Sequence, residues 1–338
     1  DYKVTGVQTC ALPIFENNFQ INMILYDLMY VSVVIPIYNE EIVLPLLVSR
    51  LQSLTEVKKN FRFEFILVND GSTDKSKILI NDACQNPQFI GIHFSRNFGH
   101  QAAVTAGLLH ANGDYIAVID GDLQDPPELI PEMVSKMCET KADVIYGVRT
   151  HRKENLIKRS SYFLFYRLLS LITPLEIPLD SGDFGIMSRR VVDIINSMEE
   201  HHRFIRGLRA YSGFKQIPFT YKRDIRGGGE SKYNLARLLK LAMDGIFTFS
   251  EVPLRIATFL GFIIALFAIL YGIILLIWRI VSVQQLPGFA TVSIGMFFLG
   301  GIQLLCIGIL GEYIGRIHNE VKRRPSFIIE SISTNRNA

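Results

Sequence analysis

Short apolar, β-branched runs alternate with longer segments of helical character over the first 150 residues. Val31-Ser-Val-Val-Ile-Pro-Ile-Tyr38 is the first run; Phe63-Glu-Phe-Ile-Leu-Val68, Phe89 to Phe94, Tyr115-Ile-Ala-Val-Ile119 and Asp143-Val-Ile-Tyr-Gly147 follow. Their length and composition predict five strands. Helices are predicted from Asn39-Glu-Glu41 to Leu54, after Asn69-Asp-Gly-Ser-Thr-Asp74, from Gly99 to Ala111 and from Glu128 to Thr140. Strands alternating with helices imply an α/β fold with a mostly parallel sheet. Ligands of such sheets sit outside the carboxyl ends of the strands, where the polar turns fall.

The pattern changes after Arg149. Residues 155–175 and 234–252 mix Lys and Arg with Leu, Ile and Phe, as interfacial amphipathic helices do. Surface helices packed on the domain core are the alternative. Two uncharged runs follow, Ile256 to Trp278 and Thr291 to Leu310, giving predicted spans at 256–278 and 291–315. Each is long enough to cross a bilayer, which takes ~20 residues. Arg316, Lys322, Arg323 and Arg324 come after the second span, so both ends of the hairpin are expected in the cytoplasm. A hairpin buried in a large soluble protein is the competing reading. Gly295, Gly300, Gly301, Gly308, Gly311 and Gly315 offer small-residue faces for close helix contact.

Composition adds limits. With 49% apolar residues the excess lies after Pro253, and a net charge of +3 gives no argument for nucleic acid. Cys10, Cys84, Cys138 and Cys306 show no zinc-ligand spacing, and the seven histidines form no evident ligand set. Residues 1–22 lack a signal-peptide pattern and read as a non-native or disordered extension ahead of Met23. The remaining divisions are the α/β domain at 23–233, the hairpin at 253–318 and a basic tail at 319–338.

Asp120-Gly-Asp122 directly follows a buried strand. Two carboxylates at i and i+2 across a glycine can reach one site, and Gln124 adds a carbonyl oxygen. Such hard oxygens suit Mg²⁺ or Mn²⁺, with phosphate oxygens completing the shell. In the turn at 69–74, Ser72 or Thr73 is expected to cap the next helix, leaving Asp70 free to meet a base edge.

Ile35-Pro-Ile-Tyr-Asn-Glu40, Val68-Asn-Asp-Gly-Ser-Thr-Asp74, Ser95-Arg-Asn-Phe-Gly99 and Asp120-Gly-Asp-Leu-Gln-Asp-Pro-Pro127 together resemble the family 2 glycosyltransferases of GT-A fold. More narrowly, residues 31–325 resemble the polyprenyl-phosphate glycosyltransferases, the dolichol-phosphate mannose synthase-like and GtrB-type enzymes. The resemblance implies that Pro36, Tyr38, Glu40, Asp70, Arg96 and Asp120 serve the nucleotide sugar, with Arg206 and Lys232 on its diphosphate. It implies Asp122 and Gln124 as metal ligands, and Asp183 as an acceptor-side base or orienting group. Arg206 and loop 226–233 look like the mobile segment that closes over the diphosphate. Arg149, Arg152, Lys158 and Arg159 are placed to receive a lipid phosphate, or to attract anionic lipids generally.

The implied reaction is inverting transfer of a hexose, UDP-glucose being the favoured donor, to polyprenyl phosphate. It would occur at the cytoplasmic face of the inner (plasma) membrane, in a multi-pass protein that is a homo-oligomer, a tetramer by resemblance. A processive polysaccharide synthase would carry Gln-x-x-Arg-Trp, and the sole Trp is Trp278, outside any such motif. A non-catalytic membrane scaffold is the alternative from another class; the intact Asp70, Asp120, Asp122, Gln124 and Asp183 argue against it.

Overall fold

The computed structural model describes residues 28–150, 181–200, 203–222, 252–281 and 288–335. The expectations for 1–22, for 155–175 and for residues 234–251 of the second amphipathic segment lie outside these. Elements are numbered over the described residues. In order they are β1 (Met29–Ile37), α1 (Leu44–Val57), β2 (Phe61–Asn69), α2 (Ser76–Ala83), β3 (Phe89–Phe94), α3 (His100–His110) and β4 (Tyr115–Val118). A 3-10 turn at Pro127–Leu129 leads into α4 (Ile130–Thr140). Then come β5 (Val144–Thr150), β6 (Ser181–Ser188), α5 (Arg189–Ser197), α6 (Ile205–Tyr211), β7 (Gln216–Lys222), α7 (Val252–Val281), α8 (Phe289–Val321) and β8 (Ile329–Thr334).

All eight strands join one sheet in the order β7-β5-β6-β4-β1-β2-β3-β8. β1 is central, parallel to β2 on one side and β4 on the other. Residues Val31–Ile37 are all buried, as a strand covered on both faces must be. Val31, Val33, Ile35 and Ile37 pack with Leu44, Leu47 and Leu51 of α1 and Met133 of α4. Val34 faces the other way, toward Ala103 and Val104 of α3 and Val191 of α5. The period of two thus divides the core into two layers.

Three strands lie beyond the predicted five. β6 is antiparallel to both β4 and β5, while β5 is parallel to β7. β5 therefore does not continue the parallel run from β4, although the sheet stays mostly parallel. β6 reads Ser-Gly-Asp-Phe-Gly-Ile-Met-Ser, with weak intrinsic strand preference; pairing on both edges decides its state.

β8 changes the reading of the tail at 319–338. It docks antiparallel on β3, the sheet edge. Phe327 stacks on Phe94 with ring centroids 5.0 Å apart, Lys77 meets Glu330 at 2.9 Å, and Ser333 Oγ donates to Asn81 at 2.8 Å. Buried His93 accepts from Asn69 and donates to Asn81, so one neutral imidazole links β2, β3 and α2. Burial, with Lys77 nearby, pulls His93 below its ordinary value, which fits the neutral form.

α7 and α8 pack beside each other and extend further than predicted. Val252–Ile274 and Phe298–Val321 are long and apolar enough to cross a membrane, and 6% and 0% of their apolar windows are buried within the chain. That exposure opposes the buried-hairpin reading. Among the described residues, a Cβ on any of the six α8 glycines would meet nothing within 4 Å, so they are not used for close packing there.

Replacing Phe327 with Ala in the full chain, purified in detergent, should remove the Phe94 stack and weaken the docking of β8. The expected cost is roughly 1–3 kcal/mol, read as a lower Tm. An unchanged Tm would mean that this docking contributes nothing.

Candidate active site

A missing rung opens the site. Val34 accepts a hydrogen bond from Ile119 N at 3.1 Å. Two residues on, Pro36 has no N–H to continue the ladder toward β4, whereas pairing with β2 runs on to Ile37–Asn69. β1 and β4 therefore part at their carboxyl ends, and Asp120-Gly-Asp122 emerges there. The connections from β1 run outward through β2 and β3 and return to β4 on the other side. This reversal makes the crevice a topological switch point.

The turns on the β2 side interlock. Asn39 N donates to Ser72 Oγ at 3.0 Å, and Thr73 N donates to Asn39 Oδ1 at 2.8 Å. Glu40 N donates to Ser76 Oγ, Glu41 N to Asp74, and Lys75 N to Glu41. Ser72 and Thr73 thus bind the first turn instead of capping α2; Asp74 accepts from Ser76 N at 2.9 Å at that helix start. Gly71 has φ +64°, and a Cβ there would lie 2.5 Å from Asn97 N. Only glycine allows the Ser95–Gly99 loop to come so close.

Asp70 is not free as the sequence suggests. It is 3% exposed, and its carboxylate accepts from Phe98 N at 2.7 Å and Gly99 N at 3.0 Å. Burial raises its pKa, against the lowering effect of these N–H donors and His100. Pro36 is likewise buried within β1, while Tyr38 is 48% exposed, Glu40 is half-buried and Arg96 lies over the Phe98 ring.

Three constraints shape the Asp120–Asp125 turn. A Cβ on Gly121 would lie 2.6 Å from Ile37 Cδ1 and 3.0 Å from the Pro36 carbonyl oxygen, so the turn lies flat on β1. Leu123 has φ +61° and is 5% exposed; burial of its side chain holds a backbone conformation unfavourable for leucine. Asp125 accepts from Tyr221 of β7 at 2.5 Å. Asp122 Oδ1 accepts from Gln124 N at 3.1 Å, and both residues are half-buried. These oxygen donors fit Mg²⁺ or Mn²⁺ if ligand oxygens or water complete the shell. Among the described residues no three His, Cys, Asp or Glu side chains are arranged to hold a metal ion by themselves.

Across the crevice, β6 carries Asp183 and α6 carries Arg206. Arg206 forks onto Asp183, Nε to Oδ1 at 2.6 Å and Nη2 to Oδ2 at 3.0 Å. Arg206 thus sits on a helix, fixed by an ion pair, although the resemblance places it in a mobile segment. Burial works to raise the Asp183 pKa. The charge and hydrogen bonds of Arg206 outweigh it, helped by His100 and Arg209, and hold the carboxyl below its usual range.

His100, at the start of α3, stands between the two sides. Nε2 is 3.2 Å from Asp120 and Nδ1 is 3.9 Å from Asp183. Burial tends to lower its pKa, but the Asp120 hydrogen bond and both carboxylate charges raise it above the ordinary value, against Arg206. Sequence reasoning passed over His100 and Arg209. The adjacency of His100 to Ser95-Arg-Asn-Phe-Gly99 was the available signal; nothing in the sequence marks Arg209. Arg149 is placed on β5; Arg152, Lys158, Arg159 and Lys232 lie outside the described residues.

The sequence model described as glycosyl transferase family 2 matches residues 32–195, and the GtrB C-terminal hairpin matches residues 252–317. An uncharacterized glycosyltransferase, YkcC of Bacillus subtilis, is 44% identical over 88% of this chain and 93% of its own length. A prophage bactoprenol glucosyl transferase homolog of Escherichia coli is 38% identical over 90% of this chain and 99% of its own length. The bactoprenol glucosyl transferase of Shigella phage SfII is 38% identical over 89% of this chain and 98% of its own length.

Asp120→Asn should remove one of the two carboxylate charges that lift His100 and leave only a weaker, neutral acceptor for its Nε2. With metal chelated, NMR titration of the His100 imidazole is expected to show a pKa lower than in the parent protein. An unchanged or higher value would contradict the contact with Asp120.

Proposed function

The chain belongs to glycosyl transferase family 2 and has a GtrB C-terminal hairpin, and from that membership we propose that this enzyme transfers a hexose, glucose being favoured, from a nucleotide sugar to polyprenyl phosphate. One observation carries the reading: Asp120 of the donor-side turn and Asp183 of the facing strand bracket a single imidazole. A sugar held at the first carboxylate would lie next to an acceptor held at the second. The bactoprenol glucosyl transferase relatives support glucose and a polyprenyl carrier.

UDP-glucose is the favoured donor. The β1–β2–β3 turns would take the nucleotide, with Tyr38, Glu40 and Arg96 at the rim and Asp70 shaping the loop from beneath. Asp122 and Gln124 would hold Mg²⁺ or Mn²⁺, which supplies positive charge to the diphosphate when bound. Arg206, and Lys232 by resemblance, would meet the charge that develops on the leaving diphosphate.

A phosphate monoester is largely ionised at neutral pH, its second pKa being about 6, so a lipid phosphate can attack C1 without a strong base. Asp183 has both oxygens engaged by Arg206 and a lowered pKa, which supports an orienting role over a basic one. In-line attack from the opposite side inverts the configuration at C1.

The path of the chain supports a single-sided arrangement at the membrane. It enters α7 from the catalytic domain and returns after α8 to pair β8 with β3. Two crossings bring it back to the side where the domain sits. The basic residues after α8 favour the cytoplasmic side by the positive-inside bias. Arg149, Arg152 and Arg159 would then meet the acceptor phosphate at the bilayer surface.

Membranes containing the protein, given radiolabelled nucleotide sugars singly with undecaprenyl phosphate, should yield an organic-soluble product with UDP-glucose and divalent metal. Asp122→Ala should lower the rate by ~100-fold or more, because charge stabilisation at the diphosphate is lost. Product formation at the parental rate by that variant would remove the metal assignment; no lipid product from any donor would remove the reaction.

A further inference from the structure

Arg206 and Arg209 lie three residues apart on α6, so they project from neighbouring positions of the same helix face. Arg206 forks onto Asp183. Arg209 is 3% exposed, and its Nε and Nη2 have no hydrogen-bond partner among the described residues. Its guanidinium lies 5.4 Å from the centroid of Tyr146, and Nη1 lies 3.3 Å from where a Cβ on Gly185 would be. Gly185 is two residues from Asp183 on β6, which places Arg209 on the Asp183 face of that strand. Burial pulls Arg209 down to about 10, against the raising charge of Asp183, which leaves it cationic at neutral pH.

Buried polar groups normally find partners, and a buried cation with two unmatched nitrogen donors is costly to maintain. Asp183 is the nearby anion, but Arg206 occupies both its oxygens. One buried carboxylate therefore has two arginines in range and hydrogen bonds from one.

We propose that Arg209 is a positioning residue, the standby counter-ion of Asp183. When Arg206 turns toward the diphosphate of an incoming nucleotide sugar, Arg209 takes over the carboxylate. The exchange rests on the diphosphate role proposed above for Arg206. Without Arg209 that movement would leave Asp183 buried and unpaired, so substrate binding would have to oppose the Arg206–Asp183 pair. With it, Asp183 stays ionised and oriented toward the acceptor.

The test is a double-mutant cycle on nucleotide binding by the full chain in detergent, titrated calorimetrically with UDP and with GDP in Mg²⁺. Arg209→Met keeps volume and removes charge, so the Tm of the ligand-free protein should stay or rise. UDP affinity should nevertheless fall by ~10-fold, because no cation replaces Arg206 on Asp183. Arg209→Lys should restore affinity to within ~3-fold of the parent, since a cation suffices.

In an Asp183→Asn background the Arg209→Met change should alter affinity by less than ~2-fold, as no carboxylate remains to neutralise. Equal losses in both backgrounds would mean a packing role and overturn the exchange. Unchanged affinity in Arg209→Met alone would overturn it too. Parent protein that binds neither UDP nor GDP would instead overturn the diphosphate reading, and the exchange with it.

Discussion

At the carboxyl end of β1, one proline takes a rung out of the ladder to β4, and the candidate active-site crevice follows from that loss. Val34 still pairs with the β4 side, while Pro36 offers no N–H. The strands part where the chain order reverses across β1, so the space opens at the switch point of the sheet. Gly121 then lays the Asp120–Asp125 turn against Ile37 and Pro36, with Leu123 buried beneath. A continued ladder would carry Asp120 and Asp122 along the sheet edge, away from the facing strand.

Opposite charges are set against each other around the crevice. Asp70 spends its carboxylate on two backbone N–H groups and so builds the loop that carries Arg96. Asp183 is held ionised among Arg206, His100 and Arg209. His100 connects this set to Asp120, so the carboxylates of Asp120 and Asp183 do not face each other bare. Of the three cationic or cation-forming groups around Asp183, only Arg209 is buried; Arg206 and His100 reach the solvent side of the crevice.

The segment that follows the hairpin is tied to the sheet. The segment after α8 gives Ser95 N an acceptor in Ile328 O at 3.1 Å, one residue before Arg96. Phe327 covers Phe94 on the same edge. β8 therefore shields an otherwise open sheet edge, which would be prone to pairing with other chains. It also ties the end of a membrane-length helix to the loop that Asp70 supports.

Local signals made much of this legible. Five strands, the helices between them, the two apolar spans and the Asp120-Gly-Asp122 turn are written in periodicity, β-branching and turn residues, which act over a few neighbours. The sequence by itself determined an α/β domain with its polar turns at one sheet edge and a membrane-length hairpin behind it. What it left open depends on pairing between distant segments. β6, rich in glycine, becomes a strand because β4 and β5 bracket it, and β8 because β3 offers an edge. Ser72 and Thr73 look like helix caps until Asn39 competes for them. His100 and Arg209 are ordinary residues until folding sets them beside Asp183. Coulomb energy and desolvation depend on distance and burial, and neither exists until the chain has closed upon itself.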